Sequence, residues 1–149
     1  KGRYVFDAII LSRRYRGIYS LRIKKVSNIK RQQNRRFYRL DISIPVVKEF
    51  YIKDKNIVEK CIVKDISGSG VRLHCNGKHS IGDIIICRLK VDADDIKVRG
   101  KVVRIHEVDT YDYKYGLGID FIDIDEKKRD RIIKFIFEKQ RILREKELM

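Results

Sequence analysis

The chain of 149 residues contains a single proline, Pro45, and has no stretch rich in glycine and serine. Such stretches are typical of flexible linkers, so their absence favours one ordinary domain, or one domain with a fragment attached. No apolar run approaches the roughly 20 residues that a membrane-spanning helix needs, and no signal peptide is visible. With 43% hydrophobic residues, we expect a folded, cytoplasmic protein.

The sequence also lacks the usual spacing of metal ligands and disulfides. Its three cysteines, Cys61, Cys75 and Cys87, lie far apart and inside apolar runs, without a C-x-x-C pair. This argues against a disulfide framework or a zinc site, and we expect buried free thiols. The three histidines have no metal-ligand spacing with one another, so no metal site is expected; they are His74, His79 and His106.

Motifs of catalysis are missing as well. No pair of carboxylates has an evident acid–base context, and there is no P-loop, G-x-S-x-G or H-E-x-x-H. We therefore expect a binding protein rather than an enzyme.

The chain is strongly basic: it has 36 Lys and Arg against 21 Asp and Glu, a formal net charge of +15. Such a field attracts nucleotides, nucleic acid, anionic lipid or acidic protein surfaces.

Alternation of apolar residues predicts strands along most of the chain. Tyr4–Leu11 and Ile18–Val26 form a predicted hairpin, and the polar, basic stretch from Ser27 to Arg36 reads as a linker. Six further strands are predicted downstream. They span residues 44–52, 58–66, 71–75, 84–91, 96–105 and 113–121.

A change to helical spacing predicts a terminal helix from Asp125 to Leu148, with Asp123 and Glu126 arranged as a capping box. About six short strands and one helix indicate a small antiparallel barrel with an appended helix. The pattern alone does not separate a barrel from a sandwich.

Two motifs carry the functional signal. Arg35 and Arg39 form an R-x-x-x-R, and Asp65, Ser67 and Gly70 form a D-x-S-x-x-G after the next strand. Guanidinium groups bond phosphates or guanine edges in pairs and stack on flat bases. A carboxylate and a hydroxyl match the donor edge of guanine, and glycine permits close backbone approach or a sharp turn.

Their order and spacing resemble the two signatures of the PilZ domain, a bacterial receptor module for cyclic di-GMP. The resemblance runs from Arg31 to about Ile124 and includes the glycine-rich strand Tyr115–Phe121. It implies a mainly β fold, a six-stranded antiparallel barrel with a C-terminal helix, and no cofactor. It also implies cyclic di-GMP contacts at Arg35, Arg39, Asp65, Ser67 and Gly70, with auxiliary contacts at Arg31, Arg36, Arg72 and Arg104. We expect two ligands per chain, bound as an intercalated pair.

The N-terminal strands resemble the end of the YcgR-like, flagellar-brake family. That resemblance implies three parts: residues 1–29 as the last strands of an N-terminal split-barrel domain that lies mostly outside this chain, residues 30–124 as the PilZ domain, and residues 125–149 as the helix. The implied function is a receptor whose linker and domain arrangement change on binding, regulating motility through a motor or stator protein, or an envelope process. Two alternatives stay open. One is a basic β-barrel that binds nucleic acid, which we do not expect, and the other is a ligand-free protein-interaction scaffold.

Overall fold

The computed structural model describes residues 3–149, which divide into two compact units, one up to residue 36 and one from residue 37 to residue 149. Among the described residues, no helix is long and apolar enough to cross a membrane.

The first unit contains two separate two-stranded sheets. Its strands are β1 (Arg3–Val5), β2 (Ala8–Tyr15), β3 (Tyr19–Lys25) and β4 (Lys30–Gln32). β2 and β3 form the predicted hairpin, with somewhat shifted ends. Gly17 lies in its turn at a φ of 76°, a conformation that glycine adopts at little steric cost.

Strand β4 lies inside the stretch that the sequence predicted to be a polar linker. It pairs antiparallel with β1, and Tyr4 is opposite Arg31. Strand pairing uses backbone N–H and C=O groups, so it does not need the apolar alternation on which the prediction depended. Within the predicted linker, residues 27–29 and 33–36 lack regular structure, and the irregular part of the linker is therefore shorter than predicted.

The second unit is a closed antiparallel barrel with the strand order β10–β7–β6–β5–β8–β9. Its strands are β5 (Arg39–Ile52), β6 (Lys55–Ser67), β7 (Gly70–Cys75), β8 (Ile84–Val91), β9 (Asp94–Glu107) and β10 (Tyr115–Phe121). The predicted six-stranded barrel is thus confirmed, and the closed ring excludes a sandwich. Several strands are longer than predicted, because hairpin pairing continues beyond the last apolar residue.

Alternate residues of the strands fill the barrel interior, among them Val63, Leu73 and Leu117, which are fully buried. The three cysteines belong to this core and are free thiols, as predicted. Burial raises the pKa of Cys87 to about 12, so this thiol is protonated at neutral pH and packs as a small apolar group.

The C-terminal helix α1 spans Glu126–Glu147. Its N-cap is Asp125, whose side chain accepts a hydrogen bond from the backbone N–H of Lys128 at 2.8 Å. The predicted capping box at Asp123 is therefore wrong by two residues. Asp123 has a φ of 51° instead and pairs with Arg99 at 3.1 Å. Buried α1 residues join the barrel core; they are Ile132, Phe135 and Ile136.

A charged cluster is buried at the β5–β6 side of the barrel. Lys48 is completely buried, and its Nζ contacts Glu59 Oε2 and, at 2.8 Å, His79 Nε2. Glu59 also accepts the backbone N–H groups of Asn76 and Gly77 through Oε1, at 2.7 and 2.9 Å. The cluster therefore holds the loop that follows β7 against β5 and β6. It also pairs the charge of Lys48, which would otherwise be buried without a partner.

Candidate functional site

A groove of about 520 Å³ lies on the outer face of the second unit. It runs over β6, β7, β10 and β9, next to the turn between β6 and β7. The groove brings together six residues that the sequence singled out. They are Arg39, Asp65, Ser67, Gly70, Arg72 and Arg104.

Asp65 and Arg72 form an ion pair at the centre of this set. They are opposite each other on β6 and β7, and Arg72 Nε donates to Asp65 Oδ2 at 2.6 Å. The Asp65 side chain is 15% exposed and the Arg72 side chain is 44% exposed. Because a carboxylate accepts several hydrogen bonds, Arg72 orients Asp65 and still leaves it able to accept from a ligand.

The turn between β6 and β7 is held by Ser67. This serine is buried, and its hydroxyl accepts the backbone N–H of Ser69 at 3.3 Å and contacts Ser69 Oγ at 3.2 Å. Ser67 therefore shapes the turn in addition to lining the groove, as side-chain hydroxyls do in turns generally.

Gly70 is required by packing between strands. A Cβ at this position would lie 2.2 Å from the carbonyl oxygen of Ile119 on β10. The two strands pair here, with Gly70 opposite Asp120. The glycine of the second motif thus lets β7 approach β10, which forms the adjacent floor of the groove, and its φ is not positive.

Arginines surround this floor. Arg39 is the first residue of β5 and lies opposite Ser67 on β6. Arg72 and Arg104 are both opposite Gly118, one on each side of β10. Three guanidinium groups against the carboxylates of the groove make it a site for an anionic ligand that also presents hydrogen-bond donors. Within residues 3–149, no cluster of His, Cys, Asp or Glu is placed to hold a metal ion.

The remaining predicted arginines, Arg31, Arg35 and Arg36, belong to the first unit. Arg31 lies in β4, whereas Arg35 and Arg36 lie in the irregular stretch before β5. The groove of the second unit therefore contains one of the two R-x-x-x-R arginines, Arg39, and ligand contact by all of these residues stays a prediction.

Sequence reasoning missed four polar or small residues of the groove, namely Ser69, His106, Gly118 and Asp120. A signal existed for two of them, because Gly118 and Asp120 alternate with the buried Leu117 and Ile119 and must point outward. His106 was missed because the predicted strand ended at Ile105, whereas β9 continues to Glu107.

The fold and groove define a small antiparallel β-barrel with a cationic ligand groove at one hairpin turn. A family model described as the PilZ domain matches residues 33–138, and the chain belongs to this family. The predicted family is thereby confirmed. Among curated protein sequences, none matches the chain.

Solved structures of similar fold include the Bacillus subtilis inhibitor of motility MotI/DgrA, with a TM-score of 0.72 and 16% identity over 93% of this chain and 68% of that one. Escherichia coli YcgR in complex with c-di-GMP has a TM-score of 0.64 and 16% sequence identity, over 95% of this chain and 60% of that one. The c-di-GMP complex of MrkH from K. pneumonia has a TM-score of 0.62 and 17% sequence identity, over 99% of this chain and 69% of that one. At these identities the likeness shows the fold, and this chain spans less than two thirds of the YcgR chain.

Proposed function

We propose that this protein is a receptor for cyclic di-GMP and that the groove around Asp65 and Arg72 is its binding site. The observation that carries the proposal is the Asp65–Arg72 pair with Arg39 and Arg104 in one groove. Family membership supports it, and so do the YcgR and MrkH structures of similar fold, which were determined with c-di-GMP.

Each group suits one part of that ligand. The Watson–Crick edge of guanine presents N–H donors, which match the carboxylate of Asp65 held by Arg72. The two phosphodiesters are anionic, and the planar forks of Arg39 and Arg104 match them. Arg35 lies four residues before Arg39 and approaches the ligand in the bound state as the second motif arginine, with Arg31 and Arg36 as auxiliary contacts.

Binding therefore links the two units of the chain. Residues 33–38 have no regular structure, and a ligand held by both Arg35 and Asp65 makes contacts that only an ordered linker provides. Such differential contact shifts a population of conformers. The rearranged surface is what a partner recognises, and the partner belongs to motility or to another envelope process.

Calorimetric titration with cyclic di-GMP tests the assignment. We expect saturable binding that GTP and GMP do not displace, with a stoichiometry of two ligands per chain. Arg35→Ala and Arg39→Ala should each weaken binding about ten- to a hundred-fold, because a hydrogen bond to a charged group contributes roughly 1.5–3 kcal/mol. The matched control is Arg141→Ala, a mostly exposed position on α1, which should bind as the wild type does.

Wild-type affinity in folded Arg39→Ala protein would contradict the site, and absence of binding in the wild type would contradict the function. The nucleic-acid alternative makes a different prediction. It requires tight binding of mixed oligonucleotides whose affinity falls steeply with salt concentration, because such binding releases counterions.

A further inference from the structure

The sheet that forms the floor of the groove continues along β10 beyond the residues of the two motifs. Gly116 and Gly118 are successive outward positions of β10. Gly118 is flanked by Arg72 and Arg104, and Gly116 is flanked in the same way by His74 and His106, on β7 and β9. The same face of the sheet thus carries a second row across three strands, one step along from the arginines, in which histidine replaces arginine on both sides.

The imidazole of His106 lies over Gly116. A Cβ at position 116 would be 2.3 Å from both Cε1 and Nε2 of this ring. The absence of a side chain at Gly116 therefore gives the ring its place, and His106 lines the groove. The ring centroids of His74 and His106 are 6.4 Å apart, so the two imidazoles are neighbours, and His106 is the one that lines the groove.

We propose that His106 is a further ligand-contacting residue, which takes up a proton when the groove receives the phosphates of cyclic di-GMP and so makes the affinity rise as the pH falls. This inference rests on the proposed function. It adds regulation by pH to the same site, because histidine is the side chain whose charge changes near neutral pH.

The charges around the ring explain why the proton arrives with the ligand. Arg104 lies two residues before His106 on the same strand, and Arg72 lies across β10 from Arg104 on β7. Two anionic phosphodiesters beside the ring would favour its protonated form, because an opposite charge nearby stabilises a cation. The other titratable groups on the surrounding elements include Glu107 on β9, Tyr115 and Asp120 on β10, His74 on β7, Lys64 and Asp65 on β6, and Tyr113 before β10.

His74 does not take this role. Burial of its ring lowers the pKa of His74, and the positive charges of Lys64 and Arg72 and the neighbouring His106 lower it further. His74 is half-buried, whereas His106 is exposed. The two histidines thus provide a matched pair, of which one is available to a ligand and the other serves as the control.

The test is calorimetry with cyclic di-GMP at about pH 6 and about pH 8, on the two sides of histidine titration. The phosphodiesters and guanine bases of the ligand do not titrate between these values. Wild-type protein should bind roughly tenfold more tightly at the lower pH. Titrations in buffers of different ionisation enthalpy should show proton uptake on binding.

Three variants locate the effect. His106→Gln should lose the pH dependence and the proton uptake, whereas His74→Gln should keep both. Gly116→Ala retains His106 but displaces its ring, and it should also lose the pH dependence. If folded His106→Gln protein keeps the pH dependence of the wild type, or if wild-type affinity is equal at both pH values, this inference is wrong while the proposed function stands. If the wild type binds at neither pH, both are wrong.

Discussion

Arg72 Nε donates a hydrogen bond to Asp65 Oδ2 at 2.6 Å across the β6–β7 pair. Asp65 belongs to the second sequence motif, while Arg72 lies beyond the end of that motif. The pair means that the carboxylate expected to meet the guanine edge is already oriented before a ligand arrives, which reduces the ordering that binding requires.

This pair predicts coupled effects of substitution on ligand affinity. Asp65→Ala and Arg72→Ala should each weaken cyclic di-GMP binding by roughly tenfold or less, since the pair meets one edge of one base and the other contacts to the ligand remain. If Arg72 acts by holding Asp65, the affinity of the double variant should equal that of the single variant with the lower affinity. A calorimetric double-mutant cycle measures this, and fully additive losses would show that Arg72 contacts the ligand independently.

Gly70→Ala should destabilise the barrel. The added Cβ would meet the Ile119 carbonyl at 2.2 Å, and this backbone atom cannot rotate away as a side chain can. We expect a loss of roughly 1–3 kcal/mol in the free energy of unfolding, as for other overpacked sites. Urea denaturation provides the measurement. Ser69→Ala, at an exposed position of the same turn, is the control and should change stability by less than about 0.5 kcal/mol.

Acid should weaken the fold through the Lys48 cluster. Burial, followed by the charge of Lys48, lowers the pKa of His79 from its ordinary value of 6.5. The unfolded chain therefore binds a proton at this histidine before the folded chain does, and stability falls as the pH drops below about 6.5.

Protonation of Glu59 also lowers the stability of the fold, at lower pH than protonation of His79. Burial alone would raise its pKa, but hydrogen bonds from Lys48 and from the backbone N–H groups of Asn76 and Gly77 outweigh this and lower the pKa below 4.5. Its contribution to stability is present above that value and is lost as the pH falls through the lowered pKa. Urea denaturation at a series of pH values should show both losses. His79→Gln should remove much of the first, and an unchanged loss between pH 7 and pH 5.5 in that variant would contradict the assignment.

How much of the fold and of the site could be predicted from the sequence depends on the kind of sequence pattern that marks each feature. Alternation located every barrel strand, because one face of each strand is buried and the other is not. The same rule gave no indication of Lys48, which shares the inward parity of Val46 and Phe50. Its partners, Glu59 and His79, come from β6 and from the loop after β7, and no local pattern places them together.

The site shows the same limit. The motif residues could be chosen by family resemblance, and the structure gathers Arg39, Asp65, Ser67 and Gly70 in one groove. His106 belongs to no sequence motif, and only the register of β9 against β10 places it over Gly116. Similarly, β4 was missed because its pairing with β1 depends on backbone groups.

Ligand binding should order residues 33–38, which span the boundary between the two units in the sequence. Backbone amides of residues 33–38 should exchange hydrogen rapidly in the free protein, since they have no regular structure. Cyclic di-GMP should slow their exchange, while the amides of Tyr115–Phe121 in β10 should change little. Hydrogen–deuterium exchange with and without ligand measures this. Equal exchange of residues 33–38 in both states would show that the linker does not respond to the ligand.

NMR titration of the isotopically labelled chain shows directly whether the groove beside Asp65 and Arg72 binds cyclic di-GMP. We expect saturable shifts of the backbone amides of residues 65–72 and 118–120, which border the groove, and no comparable shift around Lys48. The same titration of Arg39→Ala protein should require a higher ligand concentration. Absence of shifts in the wild type, or shifts confined to residues outside the groove, would show that cyclic di-GMP does not bind in this groove.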